Sequence, residues 1–283
     1  MSFIDHVKAC NTYRPDRFLP LRRGADRIGF IRRDNAAALR RFPGVFRVGH
    51  EAVELVAGGG FDALTAAVDD VVEALAAEGL VEKWRHESFA VAPRWQAPPL
   101  FKLDRGALAF FGVTAQGVHL NGWRRDAGGL RLWIGRRAPD KKVAPGKLDN
   151  LVAGGIGFGH GIFETLAKEA AEEAAMERAL IERAIPVGAI TYRMETRQGL
   201  RDDVLFVYDL ETPAAFLPRN TDGEISEFRL MPAEEVVERI RTGDDFKFNV
   251  NLVILDFALR HGVITPDEPE YLALVTGLRR PLD

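Results

Sequence analysis

The chain has 283 residues, 47% hydrophobic and 28% charged, with a formal net charge of −3. Those proportions suit a soluble globular protein with room for one large domain or two ordinary ones. No stretch approaches the roughly 18 apolar residues of a membrane span. The slight acidity argues against a general nucleic-acid binder, and a single cysteine, Cys10, excludes an internal disulfide or a cysteine-rich zinc site. The first residues, Met1 to His6, lack a basic and then apolar leader, so the expected location is cytoplasmic.

Charge is unevenly spread. Residues 1–47 hold eleven Lys/Arg against four Asp/Glu, whereas residues 48–110 hold five against ten. Such a basic front end can draw in an anionic substrate; the plainer reading is a solvated basic face.

In chain order, residues 3–13 read as a short helix. Phe18 to Leu21 and Arg27 to Ile31 read as strands around Gly24-Ala25-Asp26. Asp34-Asn35 can cap a helix over Ala36–Phe42, ended by Pro43-Gly44. Short strands follow near Val45–Val48 and Ala52–Val56. The strongest early helix is Phe61–Glu78, where Leu64, Val68, Val71, Val72 and Leu75 recur at helical spacing before Gly79. Trp84 and Trp95 flank a strand near Phe89–Ala92 and read as core aromatics. His6, His50 and His86 are scattered, without metal-ligand spacing. Residues 1–112 therefore read as a small α+β companion domain, concerned with substrate selection or stability, and residues 113–283 as the main one.

From Val113 the pattern turns β-rich. Val118–Asn121 and Leu130–Ile134 alternate apolar and polar around Asp126-Ala127-Gly128-Gly129, a hairpin signal. Lys141, Lys142 and Lys147 crowd a loop with Pro145-Gly146, suited to phosphate binding or merely exposed. Val187–Glu195 and Asp203–Leu210 pair across 197–200. Ile225–Met231 is a further strand, Pro232 opens a helix through Ile240, and Phe246–His261 is a last amphipathic helix.

The densest chemistry lies at 154–174. Gly154-Gly155-Ile156-Gly157-Phe158-Gly159-His160-Gly161 holds five glycines in eight residues, useful where backbone must bend or approach a ligand. A run of good helix formers follows. On that helix Phe163, Ala167, Ala170 and Ala174 share one flank, and Glu169, Glu172 and Glu173 another. Glu169 faces Glu173, and Glu173 faces Glu177, four residues on. Like charges at that spacing repel by a few tenths of a kcal/mol, with only Lys168 for relief. Either the face is solvated, or a hard divalent cation turns repulsion into attraction. Two nucleotide-loop readings fail. Gly154 and Gly159 lead to His160-Gly161 rather than the Lys-Ser/Thr of a P-loop, and no register completes G-x-G-x-x-G.

These residues resemble the Nudix hydrolase box, G-x5-E-x7-R-E-U-x-E-E-x-G-U with U a bulky aliphatic. Its first glycine falls on Gly154 and its glutamates on Glu169, Glu172 and Glu173, with Lys168 in place of the arginine. His160 replaces the first glutamate, Ala175 the late glycine, and Ala170 is small for its position. With Leu148–Ala153 before it and Asp222–Phe228 after it, the chain is similar to the thiamine-pyrophosphokinase-related Nudix subfamily over nearly its whole length. The resemblance implies an α/β/α sandwich with a mixed sheet and Mg²⁺ or Mn²⁺ held by Glu169, Glu172 and Glu173. It further implies hydrolysis of an organic diphosphate, with a thiamine-diphosphate derivative first. Alternatives are a nucleoside diphosphate derivative such as ADP-ribose or a sugar nucleotide, or a silent binding protein of the same fold. Glu169 is the first choice of general base and Glu227 the second, ahead of Glu224; Glu173 completes the catalytic carboxylates. Gly154, Gly155, His160 and Lys147 are the candidate substrate contacts. The expected partner is a small diphosphate, with no nucleic acid or membrane, and the protein a monomer or homodimer.

Overall fold

The structure is a computed structural model that describes residues 2–82 and 87–280; Trp84 and His86 lie outside the described residues. It opens with α1 (Phe3–Cys10), β1 (Phe18–Arg23), β2 (Asp26–Arg32), α2 (Arg33–Leu39), β3 (Phe46–Val48), β4 (Val53–Leu55) and α3 (Phe61–Ala77). β5 (Ser88–Val91), β6 (Phe101–Asp104) and α4 (Leu108–Phe111) complete the first part. The second part runs β7 (Thr114–Asp126), β8 (Gly129–Arg137), β9 (Leu148–Asp149), β10 (Val152–Gly155), α5 (Ile162–Ala174) and α6 (Arg178–Ile181). It continues with β11 (Ile185–Glu195), β12 (Leu200–Glu211), β13 (Ile225–Pro232), α7 (Ala233–Thr242), α8 (Val250–Arg260) and α9 (Tyr271–Gly277).

The first part forms a sheet in the order β2-β1-β4-β3 and a separate β5-β6 pair. Its own core gathers Leu21, Ile31 and Val53 from the sheet, Val68 and Leu75 from α3, and Phe110 and Phe111 from α4. The apolar spacing read from residues 61–78 is the face that α3 buries. Gly79 ends that helix at φ +73°, where a side chain would be strained. Asp34 and Asn35 do not cap the next helix as expected; α2 begins at Arg33 and carries both in its first turn. Trp95, expected in the core, is half exposed and tilts against Phe206 with ring centroids 5.1 Å apart.

The second part is built on a mixed sheet ordered β11-β12-β7-β8-β13, with β10 on β7 and β9 on β8. β12 and β7 run parallel over ten residue pairs, and the other strand pairs are antiparallel. Helices α1, α7, α8 and α9 cover one face around Phe246, Leu252, Leu255 and Phe257. α5 covers the other, its Leu166, Ala170 and Ala174 packed with Val118, Leu120 and Val152. This is the expected α/β/α sandwich. None of the described helices is long and apolar enough to cross a membrane.

α1 reaches across the division at residue 112 to pack on the second part. Phe3, Val7 and Cys10 are at most 4% exposed within the core of the second part. His6 Nε2 lies 2.8 Å from the Ile240 carbonyl of α7. The first turns of the chain thus complete the sandwich, and the companion unit is inserted between them and β7. The two parts meet closely at Gly199, between β11 and β12, where an added Cβ would lie 2.1 Å from the Ala109 carbonyl oxygen of α4. Nearby, buried Arg193 of β11 bonds Asp202 at 2.9 Å and lies over the rings of Tyr13 and Phe30.

Candidate functional site

A cavity of about 730 Å³ opens where the two parts meet. One wall is the N-terminal half of β7, the end of β10 and the outer face of α5. β7 pairs with β10 through residues 117–120 but with β8 only from Trp123 onward. The sheet therefore splays between β10 and β8, and polar side chains of β7 reach the gap. The facing wall comes from the first part, with Glu82, Glu87, Phe89 and Arg105.

The glycine strand brings α5 against this cavity. An added Cβ on Gly154 would sit 2.3 Å from Glu169 Cγ, so only glycine leaves room for that carboxylate. One on Gly155 would sit 2.8 Å from the Phe89 ring. Both glycines line the cavity, as do Lys168, Glu169 and Glu172. Lys168 Nζ donates to Glu172 at 2.8 Å and to Glu169 at 3.2 Å. Glu173 points inward instead. It is buried, and its Oε2 accepts the Ala153 N–H at 2.9 Å, tying α5 to β10. Burial raises the Glu173 carboxyl well above its usual range, with Asp149, Glu169 and Glu224 adding repulsion. Burial raises Glu169 too, against the pull of Lys168.

α5 stops at Ala175, which takes φ +51° where the box expects glycine. The left-handed cap is thus kept at a steric cost of about 1 kcal/mol.

Other expected contacts lie elsewhere. His160 is exposed and turned back on its own loop, its backbone N–H donating to the Gly157 carbonyl. Lys147 donates to the Asp244 carboxylate at 2.8 Å and does not line the cavity, whereas Lys141 and Lys142 do. Glu227 is held by Arg136 at 3.0 Å and Arg229 at 2.9 Å on β13, outside the cavity. Those partners keep its carboxyl below the usual range. Glu224 and Asp222 take the place expected for it on the cavity wall, Glu224 paired with Lys141 at 2.7 Å. None of the described residues up to Arg47 lines the cavity. Several of those arginines are spent on local pairs, Arg41 with Glu78 and Arg17 with Glu195 among them.

A buried polar group beneath the cavity escaped the sequence reading. Arg137 bonds Asp149 at 2.7 Å, and Lys247 approaches the same carboxylate oxygen at 3.4 Å. Although burial opposes it, Lys247, His119 and Arg137 hold Asp149 below the usual carboxylate range. His119 Nδ1 lies 2.8 Å from Asn150 Oδ1, and burial pushes its imidazole down to about 4, so it is neutral near pH 7. Asn150 in turn donates to Asn121. The signal was present in the alternation His119, Asn121 on β7, but such alternation usually marks a solvent face.

The acidic wall suits a hard cation chemically, since it offers oxygen donors alone, beside glycine backbone. Among the described residues no three acidic, imidazole or thiol groups stand gathered for ligation. The Lys168 ammonium holds Glu169 and Glu172 together, a cation already seated between two of the acids.

Residues 120–250 match the NUDIX domain model, and residues 2–115 match a domain of unknown function (DUF4743). Over 283 residues the chain is 38% identical to Nudix hydrolase 24, chloroplastic, of Arabidopsis thaliana, covering 98% of this chain and 77% of that protein. Nudix hydrolase 20, chloroplastic, of the same plant is 38% identical over 290 residues, with the same coverage. Among solved structures, one from Deinococcus radiodurans is 23% identical, with a TM-score of 0.47 over 59% of this chain and 97% of that one. On the sequence relatives, which span almost the entire chain, this protein belongs to the Nudix hydrolase family, enzymes that act on diphosphate-containing substrates.

Proposed function

We propose that the cavity hydrolyses a diphosphate joined to an organic group, with a divalent metal ion held by Glu169, Glu172 and Glu173. The observation that carries this reading is the seating of Glu169 on Gly154, beside Lys168 and Glu172, on the wall of a cavity large enough for a small organic diphosphate. Nudix hydrolases generally use divalent metals such as Mg²⁺, and Mn²⁺ fits the same donors. The metal would neutralise phosphate oxygens and make a bound water more acidic. Lys168, which bridges Glu169 and Glu172, would be free to meet phosphate charge where those carboxylates hold the ion. Glu173 accepts the Ala153 N–H with one carboxylate oxygen, and the other would be its donor to the ion.

Glu169 is the first choice to take the proton from the attacking water, because it faces the cavity and is only half buried. Glu224 replaces Glu227 as the second choice, since Glu227 is occupied by two arginines away from the cavity. Gly154 and Gly155 supply close backbone approach, and Lys141 and Lys142 meet phosphate charge at the rim.

For the organic group, the facing wall sets the Phe89 ring near Glu87. Phe89 lines the cavity although only 4% exposed, and Glu87 beside it is paired with Arg105 at 2.8 Å; on the family resemblance a thiamine-diphosphate derivative stays first and a nucleoside diphosphate derivative second. The test is a screen with Mg²⁺ or Mn²⁺ of thiamine diphosphate and its analogues, ADP-ribose and sugar nucleotides, read by product mass. Expected is a monophosphate product that EDTA abolishes. Equal turnover in EDTA, or none on any diphosphate, rejects the reading.

A further inference from the structure

The buried group beneath the cavity is out of charge balance. Arg137 and Lys247 are two cations, and among the described residues both pair with the one carboxylate of Asp149. Their side chains are only 9% and 15% exposed, and both line the cavity. The neighbouring Arg201 has its own partner, Asp203, at 3.2 Å, and His119 is neutral. Glu173 also acts on Lys247 through space, but its carboxylate is taken by the Ala153 N–H and pairs directly with neither cation. Among the described residues one of the two cations is thus left without a carboxylate of its own. Burial together with Arg137 and Arg201 pulls the Lys247 ammonium below its usual range. An unbalanced buried cation is costly to the free protein, and a ligand anion reaching it relieves that cost.

We propose that Lys247 and Arg137 form a subsite for a free terminal phosphate, so that the enzyme selects diphosphate monoesters over diphosphate diesters. The inference rests on reading the cavity as a diphosphate site. A monoester, R–O–P–O–P, ends in a phosphate that carries up to two charges near neutral pH. In a diester the second phosphate is capped by another organic group, so it carries one charge and brings that group with it. Arg137 already spends Nε on the Val143 carbonyl and one terminal nitrogen on Asp149. Lys247 is therefore the member with donors to spare, since an ammonium has three and Asp149 takes one. A site built to balance a buried charge rejects the analogue that lacks it, because its own charge is then left unpaired.

The test compares phenyl diphosphate with P1,P2-diphenyl diphosphate, which carry the same organic group, in full-length protein with Mg²⁺. The parent is expected to favour the monoester by at least tenfold in kcat/KM. Lys247→Met should raise KM for the monoester by tenfold or more and change the diester by no more than threefold. Lys247→Arg should restore most of the preference. An equal loss on both esters would make Lys247 a structural residue, and an unchanged ratio would remove it from recognition; either overturns the subsite. If the parent turns over neither ester, the catalytic reading is what fails. The subsite is then judged by calorimetry with inorganic diphosphate in EDTA. At least tenfold weaker binding to Lys247→Met than to parent supports it, and equal affinity overturns it.

Discussion

The two walls of the cavity are made from different kinds of sequence. The acidic wall comes from β10 and α5, within about twenty consecutive residues, and every member is fixed by local geometry: helical spacing, a glycine strand and one cap. The facing wall takes Glu82, Glu87, Phe89 and Arg105 from a β-pair and its flanks, held by a separate core and by contacts such as the Ser88 carbonyl accepting the Phe158 N–H. On the proposed function, chemistry is encoded in a run, whereas recognition is encoded in a docking. A compact run tolerates change around it. A docked wall depends on the rest of the chain holding two units in register.

The sharpest way to break that comparison is to separate the units. A fragment beginning at residue 113 keeps every proposed catalytic group but loses α1. Phe3, Val7 and Cys10 leave a core in which they are almost wholly buried. At roughly 2 kcal/mol per buried apolar side chain, the loss is about 6 kcal/mol, comparable with a domain's entire stability. The fragment is expected to lack a cooperative thermal transition and to be inactive. A cooperatively folded, active fragment would show that α1 is dispensable and that the acidic wall stands alone.

Next comes the acidic wall itself. Glu172→Gln or Glu173→Gln removes a charge with almost no change in volume, and in the second variant the new amide oxygen can still accept the Ala153 N–H. Turnover should fall by about two powers of ten, roughly 3 kcal/mol of barrier, while the metal-free variants stay within about 1 kcal/mol of the parent, since relieved like-charge repulsion offsets, at position 172, the loss of an exposed pair with Lys168. Parental turnover in both would make this face merely solvated.

Gly154→Ala probes the same wall through the backbone. A Cβ there would meet Glu169 at 2.3 Å and push the carboxylate aside. We expect about a tenfold loss of kcat, near 1.4 kcal/mol, with a melting temperature within a few degrees of the parent. Unchanged kcat would mean that the position of Glu169 is not critical.

The docked wall answers to a smaller change. Phe89→Leu keeps the packing against Gly155 largely filled but removes the aromatic face. It should shift the kcat/KM ratio between heteroaromatic and alkyl diphosphates by about threefold to tenfold, on the order of 1 kcal/mol, with little effect on alkyl turnover. An unchanged ratio would confine this wall to stability.

The smallest effect lies at the end of α5. Ala175→Gly relieves a left-handed alanine, for an expected gain of about 0.5–1 kcal/mol in urea unfolding, offset partly by glycine's greater freedom when unfolded. Lower stability in the variant would show that the cap is held by packing rather than strained.

What the sequence by itself determined was local. Helical periodicity located α3 and α5, alternation located the β7–β8 and β11–β12 hairpins, and residue spacing put Gly154 and the three glutamates in one motif. Each of these follows from a short-range rule, since a helix face or a hairpin turn is set by neighbours a few residues away. The tertiary structure decided everything that depends on which distant segments meet. It placed α1 in the second core, turned Lys147 toward Asp244 and Glu227 toward two arginines, and brought Glu224 to the cavity instead. It also gathered Arg137, Asp149 and Lys247, about a hundred positions apart at the extremes, around one buried carboxylate. Side-chain charge is visible in a sequence, but its partner is not. Which carboxylate a lysine meets depends on how the sheet splays and where the helices dock, and that is fixed by the whole core rather than by any neighbour along the chain.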